Sequence, residues 1–146
     1  MKHVLTLTIV ALALTSTVAE AQGKRIHVTA EVVQQTFTGD LAHPQLGDQL
    51  ISNVVLLDER HRQVGTGTGA CTVVGVPPLD TRLQCVLGAA FAGGQITFGG
   101  AAPLPEVGVE ARFGIFGGTG DFRKARGEAT LVVISPVLQE ATFDFQ

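Results

Sequence analysis

From Arg25 the chain alternates between apolar and polar side chains. Ile26, Val28, Ala30 and Val32 share one parity, and Arg25, His27, Thr29 and Glu31 share the other. A period of two marks a strand with one buried face. Further extended runs, rich in Val, Ile, Leu and Thr, cover residues 50–57, 64–74, 83–91, 95–98, 109–116, 127–135 and 139–145. Turn chemistry separates them. Gly39, Pro44 and Gly47 mark a polar loop, Asp58-Glu59-Arg60-His61 a charged turn, Val76-Pro77-Pro78-Leu79-Asp80 a hairpin loop and Gly93-Gly94 a tight turn. Pro103 and Pro105 interrupt before residue 109. A helical signal is confined to one turn after Gly120. Several short strands with regular turns predict an all-β domain, either a sandwich or a barrel.

The two cysteines test one hairpin. With Cys71 opposite Cys85, Val73 faces Leu83, Gly75 faces Thr81 and residues 76–80 form the loop. Cys71 and Cys85 then share a face with Val73, Leu83, Leu87, Ala89 and Phe91, and Thr66, Thr68, Thr72 and Gln84 take the other. This register predicts a cross-strand disulfide that points into the apolar interior.

Composition adds a compartment and removes several partners. Met1-Lys2-His3, an apolar run from Val4 to Val18 and the small-x-small site Ala19-Glu20-Ala21 read as a signal peptide over residues 1–21. Residues 22–146 then form a single domain that is secreted or periplasmic, where an even cysteine count favours a bridge. No second apolar stretch is long enough to span a bilayer, so no membrane attachment is expected after cleavage. The formal net charge of −3 offers no basic face to a nucleic acid. His27, His43 and His61 sit in separate segments, and no His/Cys/Asp cluster has metal-ligand spacing, so no metal is expected. Gly67-Thr68-Gly69 contains no nucleophile elbow.

The segment GGTGDFRKARG, residues 117–127, has the glycines and positive charge of a phosphate cradle. A Walker loop, however, closes on Lys-Ser/Thr and opens a helix. Here Glu128-Ala129-Thr130-Leu131-Val132-Val133-Ile134 follows, which reads as a strand. The glycines are therefore expected to make a tight connection between strands.

That segment also resembles the GGTG-x-F-x-x-A-x-G signature of the allene oxide cyclase/dirigent superfamily. Leu46-Gly47-Asp48, Ser52-Asn53, Val64-Gly65, Gly69 and Cys71 resemble the cyclase pattern around its second and third strands, and Gly94-Gln95-Ile96-Thr97 with Gly100 a later segment. The resemblance covers nearly the whole of residues 22–146. It implies a small eight-stranded antiparallel β-barrel, a homotrimer, an apolar pocket and no cofactor. It also implies one of two activities. Cyclases of this type close a reactive precursor into a ring by confinement, whereas dirigent proteins bind and steer an intermediate without catalysing its formation.

By resemblance, Asn53 matches a cyclase asparagine that helps hold a water at the substrate oxygen; its alternative role is to satisfy a strand end. Glu31 falls near a first-strand glutamate, with a register uncertain by one residue, and is otherwise a surface acid. Asp121 and Arg126 lie where dirigent proteins place polar ligand contacts, although Arg126 is equally suited to structural pairing. Phe is the only aromatic residue type, with 8 copies and neither Trp nor Tyr. Phe91, Phe98 and Phe113 are the candidate apolar wall of the pocket. The expected function is thus an exported isomerase or cyclase acting on an apolar small molecule, or a non-catalytic dirigent-like barrel that binds one or is purely structural.

Overall fold

The computed structural model describes residues 24–146, so the expected signal peptide over residues 1–21 lies outside the described residues. Eight strands follow one another around a closed antiparallel barrel: β1 (Arg25–Phe37), β2 (Gln49–Leu57), β3 (Gln63–Gly75), β4 (Arg82–Phe91), β5 (Gly94–Ala102), β6 (Glu110–Gly118), β7 (Gly127–Ser135) and β8 (Leu138–Phe145). β8 pairs with β1 and closes the ring, for example Ala30 with Gln139. One 3₁₀ turn, Gly120–Phe122, lies between β6 and β7. Full closure removes the unpaired edges that an open sheet would expose.

Three details depart from the reading of the sequence. β1 runs on to Phe37, with a register shift between Val32 and Gln34. The extra residue, Val33, is 61% exposed. Beyond it the parity inverts, so Gln35 rather than Gln34 shares the inward side with Ser52. β5 continues through Gly99 and Gly100 to Ala102. In the β3–β4 hairpin, Cys71 pairs with Cys85 and Val73 with Leu83, but Gly75 then meets Arg82 instead of Thr81. A shift after Val73 absorbs the difference.

Cys71 and Cys85 form a disulfide across this hairpin, with Cα atoms 4.0 Å apart. Both are buried among Val73, Leu83 and Phe113 in the core. The bridge closes a short loop, so replacing both cysteines by Ala is expected to destabilise the protein by about 3 kcal/mol or less. Denaturant unfolding of the double variant measures this, and a loss well above that value would show a packing role larger than the cross-link.

The two ends of the barrel differ. At one end Phe91, Phe122, Phe143 and Phe145 close the interior. The Phe91 and Phe122 centroids are 5.9 Å apart, Phe91 meets Phe143 edge-on at 6.1 Å, and Phe122 stacks on Phe145 at 5.9 Å. Lys24 lies 5.4 Å over the Phe122 ring. Phe98 continues the cluster inward, 5.2 Å from Phe143 and 6.1 Å from Phe113.

The GGTG segment builds this closed end. Thr119 exchanges bonds with Gln95, its N–H donating to the Gln95 carbonyl while its hydroxyl accepts from the Gln95 N–H. Asp121 N–H donates to the Gly93 carbonyl at 2.9 Å. These bonds dock the loop on the β4–β5 turn and deliver Phe122 into the plug. A Cβ at Gly118 would run into the Gln95 carbonyl oxygen, and Gly120 holds a left-handed φ of 57°. Gly118→Ala is therefore expected to destabilise the barrel by about 3 kcal/mol, read as a fall in denaturation midpoint. An unchanged midpoint would show that the loop has another seat.

The neighbouring β2–β3 turn carries charge. Asp58 accepts hydrogen bonds from the backbone N–H of Arg60 and Arg62 and from the Arg62 guanidinium. The Arg62 backbone bond, then its side chain, hold the Asp58 carboxyl below its usual range. Because the folded pKa is depressed, the stabilisation from this turn is complete above the unfolded carboxylate value and fades as pH falls through the lower, folded one. An Asp58→Asn variant should lose that acid-side dependence in a pH titration of stability.

Candidate functional site

At the other end the barrel stays open. The β1–β2 loop, the β3–β4 hairpin loop, the β5–β6 loop and the β7–β8 turn surround it. The β5–β6 ladder pairs Ile96–Gly99 only with residues near the closed end of β6. Towards the open end the two strands no longer pair, and Pro103, Leu104 and Pro105 line the space there. Two prolines cannot extend a ladder, which keeps this seam apart.

Inside lies a cavity of about 80 Å³, walled by Cys71, Cys85, Leu87, Phe113 and Leu131 among others. It leads out to a vestibule of about 280 Å³ that shares Gln35, Leu50, Leu104, Val133 and Gln139 with it. A smaller space of about 50 Å³ lies deeper, against Phe98 and Phe143. The route is a funnel that narrows from the loops to the phenylalanine plug.

Strand alternation decides which side chains reach this funnel. Along β2, Leu50, Ser52, Val54 and Leu56 line it. Asn53 falls between them and faces outward, where its Nδ2 donates to Gln34 Oε1 at 3.0 Å. Glu31 is exposed on the outer face of β1, opposite Val55 and Leu138. The polar residues that line the central cavity are Gln35, Ser52 and Gln139, on the adjoining strands β1, β2 and β8. Gln35 and Ser52 are register partners. None of the side-chain hydrogen bonds among the described residues involves these three.

The remaining candidates divide between the two ends. Phe98 and Phe113 line the cavities, and Phe91 belongs to the plug. Asp121 and Arg126 are exposed at the closed end, away from the funnel. Asp121 lies over Gly93, and Arg126 Nη1 donates to the Ala125 carbonyl at 2.7 Å. Of the expected aromatic wall, Phe98 and Phe113 line the cavities and Phe91 does not, and the polar strip is not among the expected residues. Ser52 was within reach, since it shares the parity of Leu50 and Leu56; Gln35 was hidden by the bulge at Val33.

No titratable side chain among the described residues is buried in the interior. Among the described residues no charged or polar residue is fully buried, and no group of three His, Cys, Asp or Glu side chains is placed to hold a metal. The arrangement can confine an apolar molecule and offer it neutral hydrogen-bonding groups along one side.

Solved structures share this architecture. A pyocyanin demethylase aligns with a TM-score of 0.73 at 22% identity, over 84% of this chain and 100% of the other. AbnU, an exo-specific intermolecular Diels-Alderase, aligns with a TM-score of 0.69 at 20% identity, over 84% and 98%. The Diels-Alderase AbmU from Streptomyces koyangensis aligns with a TM-score of 0.70 at 16% identity, over 84% of this chain and 63% of that one. At these identities the likeness shows a common fold. No curated protein matches the sequence. The family model for the allene oxide cyclase barrel-like domain matches residues 24–143, and the chain belongs to that family.

Proposed function

We propose that the protein is an exported, cofactor-independent cyclase or isomerase that confines an apolar precursor in the funnel. The observation that carries this reading is the funnel itself, open at the loops, apolar within and plugged by phenylalanines. Confinement holds the reacting ends of a flexible molecule together and lowers the entropic part of the barrier. The hydrogen-bonding role expected of Asn53 passes in this reading to Gln35, Ser52 and Gln139. Two of the structural neighbours carry names for ring-forming activities, which supports a cyclase-type reaction without naming a substrate. Export is supported by the leader-like residues 1–21 and by the disulfide.

A second reading, a binding barrel without turnover, is favoured because no titratable side chain is buried among the described residues. The two separate in one experiment. Purified protein is incubated with an organic extract of the producing cells, and products are followed by chromatography with mass detection. A cyclase converts one component into another of the same mass. Retention of a compound without conversion supports the binding barrel, and the absence of both conversion and retention would reject both readings.

Trimeric assembly is part of the same proposal. The outer faces of β3 and β5 present Thr66, Thr68, Ala70, Thr97 and Ala101 without a charged side chain, a surface suited to a neighbouring copy. Sedimentation of a monomer alone at micromolar concentration would contradict it.

A further inference from the structure

The funnel's lining also constrains the charge of what enters it. None of the side chains lining the two inner cavities is charged, and the one charged residue lining the vestibule is Glu106. Cations sit elsewhere. Lys24, Arg25, Arg60, Arg62, Arg123, Lys124 and Arg126 belong to the closed end, and Arg82, at the open-end start of β4, is exposed and lines neither the inner cavities nor the vestibule. Arg112, on the outer face of β6, is held by Glu110 and Glu128. The loops at the open end add Asp40 and Asp80, both exposed. An anionic group drawn into the funnel would lose water, gain no counter-charge and pass a carboxylate on the way.

The polar strip has the opposite preference. Gln35 and Gln139 each carry an amide, and Ser52 a hydroxyl, all neutral and all free of protein partners among the described residues. Such groups satisfy a carbonyl or hydroxyl oxygen without a change of charge. Across the barrel from them, Leu87 on β4 and Phe113 on β6 line the same cavity.

Resting on the cyclase-or-binding reading of the funnel, we propose that its ligand is an uncharged molecule with a neutral oxygen function. That function is bound by Gln35, Ser52 and Gln139, and carboxylates, sulfonates and phosphates are excluded. Gln35 and Gln139 are then residues that set specificity.

A matched probe pair tests this. N-phenyl-1-naphthylamine is neutral, and 8-anilinonaphthalene-1-sulfonate is the same ring system with an anionic group. Fluorescence titration of the mature protein is expected to give at least tenfold tighter binding of the neutral probe. Gln35→Lys places a cation at the exposed vestibule wall and should shift the probe ratio severalfold towards the sulfonate. Ala111→Phe, which intrudes on the cavity, should weaken the neutral probe and so locate it.

Equal or tighter binding of the sulfonate by the unaltered protein overturns the charge proposal and leaves the funnel reading intact. Saturable binding of the neutral probe that Ala111→Phe does not weaken, with the variant shown folded by circular dichroism, places the probe outside the funnel and overturns both. Failure of both probes to bind also overturns both. An unchanged probe ratio in Gln35→Lys removes Gln35 from the specificity-setting role.

Discussion

Replacing Phe143 by Ala is expected to cost about 3–5 kcal/mol of stability. Phe143 is 1% exposed and meets Phe91 and Phe98 edge-on, with centroids 6.1 and 5.2 Å away. Truncation removes a buried ring from the contact that joins the plug to the inner wall. The surrounding strands are hydrogen-bonded around a closed barrel, so they cannot collapse fully into the space. Edge-to-face contacts add to the loss beyond buried area. A fall in the urea midpoint, with the slope unchanged, measures the effect. A change below about 1 kcal/mol would mean that the plug is loosely packed and that the closed end is not closed.

The second large effect concerns the funnel. Ala111 faces inward on β6, between the proline-lined seam and Leu131, its register partner on β7. A phenyl ring there occupies the cavity that the proposed ligand needs. Ala111→Phe is expected to weaken ligand binding at least about 100-fold, or about 2.7 kcal/mol, and to abolish turnover. Overpacking is expected to reduce stability by about 1–3 kcal/mol, so the variant is compared with the parent well below its unfolding transition. Retained binding at parental affinity would place the ligand elsewhere.

Much of the barrel was legible because strand alternation and turn residues are local signals. The eight strand segments are all present, and Cys71 faces Cys85 because both follow one hairpin register. The GGTG segment was legible as a connection; its structural task is to seat Phe122 beneath the barrel. What local pattern does not carry is the position of a bulge. The extra residue at Val33 costs no hydrophobic periodicity before it, yet it reverses every side chain after it and turns Gln35 inward. Gln139 was passed over for a related reason. A single amide among apolar neighbours on β8 gains meaning only once β8 closes against β1 and places it in the same cavity wall as Gln35 and Ser52. Asn53 and Glu31 came from motif resemblance, and alternation places both on the outer surface.

Binding of a small molecule inside the barrel, at its open end, can be read directly. The absence of Trp and Tyr makes a direct measurement available, because one introduced tryptophan reports alone. Phe113→Trp puts it in the cavity wall, and Phe145→Trp puts it in the closed-end plug. Energy transfer to bound N-phenyl-1-naphthylamine is then read as saturable quenching of tryptophan emission. The account predicts stronger quenching from position 113 than from position 145, with one probe per barrel, and loss of both signals when Ala111→Phe is added. Equal quenching from the two positions, or quenching that survives Ala111→Phe, would contradict it.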